Sequence, residues 1–500
     1  MNQRQITTLS FPIFFTVFTA FLLLVTTSCI PTTADSHVIE DSWFRILLNG
    51  KDAGHNRTTV TRKATGEYET VLSQNLALRR AETTMEVASS SSILETESGE
   101  IREVVTRVKM SGKEKVTHGR VAGDKLVVQS SGAGSQTTTT LGYDPEARGP
   151  YWIDRNSRKQ LRTSGSTFSV VTIFPELSRC GEISMELGKT ETMDIEGRPM
   201  LLRKRKTTWS LLPGKPQLEW VDDEGQVWRS LIEILGMELE IIRSSEKSSR
   251  KRASELPEIM LSSAVRPDRP VPNTPTVQYR LSLLQSDFET MQLGEVFQAA
   301  GQEIVDSPSK SVRVVRVSTA RPGKAVTRPV PVTPELSSFL ESNALVQSSD
   351  EKIQAKAREI CDGESDAFAA AKKIELFVQK HIQNKNLETG FASAREALDT
   401  ASGDCTEHGV LLAALARAAG IPARLVTGLV YDRGEFLGHL WTEVYIDRWI
   451  ALDATRAHKN VGPRHIAVAT SSLSESGFGD VVVQLAQIMG NLKIEVLSAE

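Results

Sequence analysis

The run Gly403-Asp404-Cys405-Thr406-Glu407-His408-Gly409, continued by an Ala/Leu-rich stretch to Ala419 and closed by Gly420-Ile421-Pro422, decides how this chain is read. It is a helix with both ends marked. Asp404 is placed to accept backbone N–H bonds as the N-cap, and Glu407, three residues on, completes a capping box. Gly420 is suited to end the helix, and Pro422 prevents its continuation. Cys405 therefore takes the first helical position. There the unpaired N–H groups and the positive end of the helix dipole favour thiolate over thiol, which is the condition for a nucleophilic cysteine. The same backbone N–H can hold an oxyanion.

A thiol nucleophile needs a base and a group that orients the base. Downstream, Gly438-His439-Leu440-Trp441-Thr442-Glu443-Val444 and Trp449-Ile450-Ala451-Leu452-Asp453-Ala454-Thr455 both read as strands, joined by a turn at Asp447-Arg448. His439 follows Cys405 by 34 residues and Asp453 follows His439 by 14, spacings that fit a helix, a strand, a turn and a returning strand. The hairpin makes a demand of parity. Opposed residues share a face, so a regular loop of two or four residues would put His439 and Asp453 on opposite sides of the sheet. A three-residue loop such as Ile446-Asp447-Arg448, or a bulge, restores a common face.

With these residues in place a family resemblance can be stated. The string from Phe391-Ala392-Ser393-Ala394 through Gly403-Asp404-Cys405, the Ala-Ala-Gly-Ile-Pro-Ala-Arg run ending at Arg424, His439 with Trp441, and Asp453-Ala454-Thr455 resembles the core of the transglutaminase-like superfamily. The resemblance covers about residues 350–470, roughly a quarter of the chain. It implies a papain-like core, with the cysteine-bearing helix packed on an antiparallel sheet that carries His439 and Asp453. It also implies Cys405 as nucleophile, His439 as general base and acid, and Asp453 as the orienter of the imidazole. The animal enzymes of the superfamily assist the oxyanion with a Trp upstream of the nucleophile, but here no Trp lies between Trp228 and Trp441, which leaves Gln379, Gln383, Asn384 and Asn386 as alternative donors. No Asp/Asn-rich loop suits calcium, and Cys405 with His408 lacks the second Cys/His pair a zinc site requires, so no cofactor or metal is expected. Trp441 and Trp449 read as wall packing near the site, Glu443 shares the parity of His439, and His458 and His465 read as surface residues.

Outward from this core the pattern changes. Residues 351–361 and 366–382 show helical spacing, the second through Phe368, Ala371, Ile374, Phe377, Val378 and Ile382. Cys361 and Cys180 read as structural thiols, with a disulfide between them as an option in an oxidising compartment. Between about 40 and 245, short alternating segments punctuated by Asn49-Gly50, Ser98-Gly99, Ser111-Gly112 and Gly123-Asp124 read as a meandering antiparallel sheet with one face buried. His55 and His118 read as solvated loop residues there. The expected plan is a leader (1–35), an antiparallel β domain (40–245), a linker (246–275), a connecting β region (276–345), the catalytic core (346–475) and a C-terminal extension (476–500), an α+β chain overall.

The apolar run at 11–25 is about 22 Å long as a helix, short of the roughly 30 Å hydrocarbon core, and reads as an export signal rather than a span. Thr26-Thr27-Ser28-Cys29 resembles a bacterial lipoprotein cleavage box, which would make Cys29 a lipidated membrane anchor. Thr32-Thr33-Ala34 would suit an ordinary signal peptidase. Both readings place the mature chain in the cell envelope or outside the cell. Lys plus Arg number 59 against 62 Asp plus Glu in 500 residues, and this near balance argues against a nucleic-acid partner. Together these readings describe an exported thiol enzyme acting on protein or peptide amide bonds through an acyl-enzyme. Hydrolysis is favoured over cross-linking because nothing in the sequence excludes water. The alternatives are a protein-glutamine transamidase and a non-catalytic binding module on the same fold.

Overall fold

The computed structural model describes residues 36–500 apart from 81–82, 111–112, 133–134, 252–254, 259–263, 292, 294–295, 344, 385–391, 457–460 and 474–477. The leader and Cys29 lie outside the described residues. The chain forms two compact units that divide between residues 262 and 263.

The first unit is built from β1 (His37–Leu48), β2 (Lys51–Arg62), β3 (Tyr68–Arg80), β4 (Thr83–Glu95), β5 (Ile101–Met110), β6 (Lys113–Ala122), β7 (Lys125–Gly132), β8 (Ser135–Gly142), helix α1 (Pro150–Gln160), β9 (Thr167–Phe174), β10 (Arg179–Ile195), β11 (Arg198–Trp209), β12 (Gln217–Val221), β13 (Val227–Ile234) and β14 (Met237–Ser244). They make one 14-stranded antiparallel sheet in the order β8 down to β1, then β14 down to β9. Turn chemistry explains the meander. Asn49 and Gly50 both take positive φ, the left-handed pair that a two-residue hairpin requires. Alternation then buries one face, as with Phe44, Ile46 and Leu48 of β1. His55 and His118 stand on strands β2 and β6 rather than in loops: His118 pairs with Glu103, and His55 lies against the Trp43 ring.

The buried face of this sheet also holds carboxyls. Glu95 accepts the N–H groups of Tyr151 and Trp152 at 3.0 and 2.8 Å and so caps α1 from a distant strand. Burial dominates its titration and pushes it up to about 7 against those bonds. Glu40 is pushed up to about 8, chiefly by burial and then by Asp154, with Arg158 and Arg243 opposing.

The second unit runs β15 (Thr276–Leu283), β16 (Gln302–Ser309), β17 (Val312–Ser318), α2 (Glu351–Ile360), α3 (Ala367–His381), α4 (Ala394–Thr400), α5 (Cys405–Ala418), β18 (Ala423–Asp432), β19 (Glu435–Tyr445), β20 (Trp449–Leu452), β21 (His465–Ser471), α6 (Phe478–Ile488) and β22 (Leu492–Ala499). Two four-stranded sheets result, β16-β17-β15-β22 and β20-β19-β18-β21. The segments 276–345 and 476–500 thus meet in one sheet, with β15 paired to the last strand of the chain. Among the described residues no helix is long and apolar enough to cross a membrane.

Helix α5 is buried along its length, from Cys405 to Arg417. An apolar helix of this kind is stable only when packed on all sides. Buried Val410, Leu411, Leu412 and Leu415 each contribute about 1.5–3 kcal/mol by leaving water. Gly409 lets the helix close on β19: a Cβ there would lie 2.3 Å from Leu440 Cδ2, and Thr442 Oγ1 donates to the Gly409 carbonyl at 2.9 Å. At the other end the buried Arg417 donates to the carbonyls of Ala423, Glu341 and Ser472, satisfying acceptors near the negative pole of the dipole.

Glu40 supplies a test. Its folded pKa lies above the unfolded value, so its contribution to stability is complete below about pH 4.5 and is lost as pH rises through about 8. We expect the first unit to lose on the order of a few kcal/mol between pH 5 and 9, and Glu40→Gln to flatten that dependence, in urea denaturation across this range. An unchanged slope in the variant would show that Glu40 is not the group responsible.

Candidate active site

The site is assembled at the start of α5. Asp404 caps the helix by accepting Thr406 N–H at Oδ1 (2.9 Å), and Glu407 Oε2 accepts Asp404 N–H (2.9 Å), so the capping box read in the sequence is formed. Cys405 is the first helical residue. Glu407 Oε1 takes the N–H of Ala392 (3.0 Å), and His408 Nδ1 donates to the Asp404 carbonyl (2.6 Å). Burial and the neighbouring Asp404 carboxylate raise Glu407 well above the ordinary carboxylate range.

The β19–β20 hairpin carries His439, and Asp453 follows directly on its second strand. Tyr445 pairs with Trp449, the loop is Ile446-Asp447-Arg448, and Ile446 N–H donates to Arg448 O at 3.0 Å. This three-residue loop puts His439 and Asp453 on one face, and His439 Nε2 lies 2.9 Å from Asp453 Oδ2. The carboxylate can only accept, so Nε2 carries the proton and Nδ1 presents a lone pair. Among the described residues Nδ1 of His439 has no hydrogen-bond partner. Asp453 Oδ1 accepts both Thr455 N–H (3.0 Å) and Thr455 Oγ1 (2.5 Å). Glu375 of α3 holds the Asp453 main chain by accepting its N–H at 3.0 Å. Burial alone would raise Asp453, yet His439 and His465 outweigh it and hold the carboxyl well below its ordinary value.

His465, expected at the surface, is instead buried at 6% exposure, and its Nε2 lies 3.3 Å from the same Asp453 Oδ2. The signal was present: His465 opens the run His-Ile-Ala-Val-Ala, which becomes β21, so it enters the core with its strand. His458 lies outside the described residues. Glu443 is buried but belongs to an ion pair, with Oε2 2.7 Å from Arg424 and Oε1 accepting Ala300 N–H at 2.8 Å. Trp441 packs against both His439 and His465, at ring distances of 6.1 and 5.4 Å, and Trp449 lies under Arg424. Cys180 and Cys361 are free thiols, both pushed up by burial, so the disulfide considered for them is not formed. Of the alternative oxyanion donors, Asn384 has its main chain bonded to the turn before Cys405, through Gly403 N–H to Asn384 O at 3.1 Å. Gln379 lies on α3, Gln383 follows it, and Asn386 is outside the described residues.

His439, Asp453 and His465 bring one ligating atom each within 4.8 Å of one another, a spacing that a cation would also accept. Hydrogen bonds to one oxygen account for it. A cavity of about 570 Å³ lies along β20, walled by Ile450, Leu452, Phe368, Lys372 and Glu375; Cys405 and His439 do not line it.

Residues 354–454, about a fifth of the chain, match the model of the transglutaminase-like superfamily, so the segment carrying Cys405, His439 and Asp453 is a transglutaminase-like domain. Among solved structures, the chain is similar to one described as a "Putative Cysteine Protease from Cytophaga hutchinsonii", at 19% identity and TM-score 0.30, covering 45% of this chain and 89% of that one. It is similar to a "Beta-barrel-like Protein of Domain of Unknown Function" from Brucella abortus, at 10% identity and TM-score 0.33, over 41% and 95% of the two chains. A third, described as a "putative protease" from Parabacteroides distasonis, shares 11% identity at TM-score 0.18, over 78% of this chain and 68% of its own. A search of curated proteins finds no match.

The site depends on a glycine behind it. Gly428 stands opposite His439 in the β18–β19 register, and a Cβ on it would lie 2.3 Å from Ile466 O and 2.6 Å from the Trp441 ring. Backbone on one side and a packed indole on the other cannot both yield. Gly428→Ala should therefore cost about 1–3 kcal/mol or more in chemical denaturation. Gly142→Ala, where a Cβ meets nothing within 4 Å, should cost far less; equal losses would refute this packing.

Proposed function

We propose that the second unit is a thiol acyl-transfer enzyme with a papain-like active-site arrangement. Cys405 attacks the carbonyl carbon of an amide, and its thiol proton passes to His439 Nδ1. The tetrahedral oxyanion is held by the N–H groups at the start of α5, assisted by Asn384. Its collapse breaks the C–N bond, and His439 returns the proton to the departing amine. Water then attacks the acyl-enzyme, giving up its proton to His439, and the thiol and a free carboxylic acid are regenerated. The observation that carries this reading is the orientation of His439: Asp453 takes Nε2–H, which leaves a buried Nδ1 lone pair without a partner in a domain whose helix begins at a cysteine.

Protein or peptide amides are the substrate class, and hydrolysis is preferred to transfer onto a second amine. Export, with or without lipidation of Cys29, is part of the proposal. One observation favours the non-catalytic alternative: Cys405 is only 1% exposed and His439 3%. A substrate must displace covering residues to reach the thiol, or the site serves for binding alone.

Alkylation separates the two. Iodoacetamide at pH 6 should label Cys405 at least about 10-fold faster than Cys180 or Cys361, because the start of a helix and a neutral imidazole base would favour its thiolate while burial raises the other two. Asp453→Asn should abolish most of that excess by freeing the imidazole tautomer, and Asn384→Ala should lower peptide turnover with the labelling rate retained. Equal slow labelling of all three thiols in the unmodified chain would leave the binding module as the surviving reading.

A further inference from the structure

We infer that His465 is a positioning residue of this site: from β21 it shares the Asp453 carboxylate with His439 and fixes the plane in which that carboxylate holds the imidazole. The inference rests on the thiol-enzyme reading above and adds a further side chain to it.

Both oxygens of Asp453 are occupied by donors. Oδ1 accepts the Thr455 N–H and hydroxyl, and Oδ2 accepts Nε2–H from both His439 (2.9 Å) and His465 (3.3 Å). A carboxylate held by one imidazole alone can turn about its Cβ–Cγ bond. Held by four donors from two directions, it has one orientation. His465 approaches on a strand that neither His439 nor Asp453 occupies, paired to β18 with His465 opposite Val430, so its restraint is independent of the hairpin. The two imidazole rings lie 6.2 Å apart, with Trp441 edge-on to His465, so neither ring can swing into the place of the other.

The residue type adds weight. Because Nε2–H donates to Asp453, the neutral ring presents Nδ1 as an acceptor, and Nδ1 of His465 is buried with no partner among the described residues. Burying an unpartnered acceptor is unfavourable. A side chain serving only to fill the core would do better as Leu or Phe. The groups facing His465 are Asp453 and His439, together with Arg456 and Trp441. Burial is the largest influence on the ring and lowers its pKa against the pull of Asp453, which favours the neutral donor form.

The full chain is carried through three arms. The rate of Cys405 alkylation by iodoacetamide is measured from pH 5 to 9 for the unmodified chain, His465→Gln and His465→Phe. His465→Gln, whose amide N–H can still reach Oδ2, should keep the profile within about 3-fold. His465→Phe should lose about 10-fold or more at pH 6, with the acid limb displaced upward and the curves converging near pH 9, where the thiol ionises unaided. A His465→Phe profile identical to that of the unmodified chain, or a loss equal at every pH with a lowered melting temperature, overturns the inference. If His465→Phe does not fold, nitrogen NMR of the unmodified chain decides: Nε2–H tautomers at both His439 and His465 support it, and an Nδ1–H tautomer at His465 overturns it. One equivalent of zinc in the purified chain, lost in His465→Gln, would make the cluster a metal site and overturn it as well. Failure of the underlying reading looks different, since the unmodified chain would then show no excess reactivity at Cys405.

Discussion

The second unit is organised around the ionised Asp453 carboxylate buried where four elements meet. It follows directly on the end of β20, β19 and β21 bring imidazoles to it, and α3 holds its main chain through Glu375. An unpaired charge in such a place would be prohibitive, so each donor is a condition of the fold as well as of the site. The sheet order meets this need. β21 returns to pair with β18 on the side away from β20, which carries His465 over the sheet to the same oxygen. Stability and chemistry are therefore entangled here: removing a donor damages the electrostatics of the fold and the geometry of His439 together.

The opposite pole of the site is electrostatically quieter than its composition implies. Two acidic side chains flank Cys405, and two full negative charges there would oppose a thiolate. Burial and repulsion from Asp404 disfavour the charged form of Glu407, while its oxygens still accept the N–H groups of Asp404 and Ala392. The helix thus gains its cap without surrounding the sulfur with anions.

What the sequence disclosed was whatever local chemistry determines. The capping box, the glycine and proline that end α5, the turn pairs of the first sheet and the parity of the hairpin are all consequences of a few adjacent residues, and the three-residue loop at Ile446-Asp447-Arg448 appears as that parity required. The family likeness of the core was legible for the same reason. What escaped was non-local. His465 and Glu375 reach Asp453 from separate elements, and nothing in their spacing marks them as neighbours. Glu443 was read by parity alone as facing the cleft, but Arg424 on the adjoining strand claims it. The pairing of β15 with β22, some 200 residues apart in the chain, likewise has no local signature.

The burial of Cys405 bears on how such a site would work. Cys405, His439 and Asp453 are all buried, and in the proposed reaction charges developed between them would act through a lower dielectric than in water. Enclosure also excludes water, the competitor that decides between hydrolysis and transfer of the acyl group. A site that opened only to admit substrate and closed over the acyl-enzyme would favour an incoming amine. One that stayed open after the first product left would favour hydrolysis. The balance between the two outcomes therefore lies in the segments covering the thiol, while the Asp453 cluster, common to both, supplies the same imidazole to each.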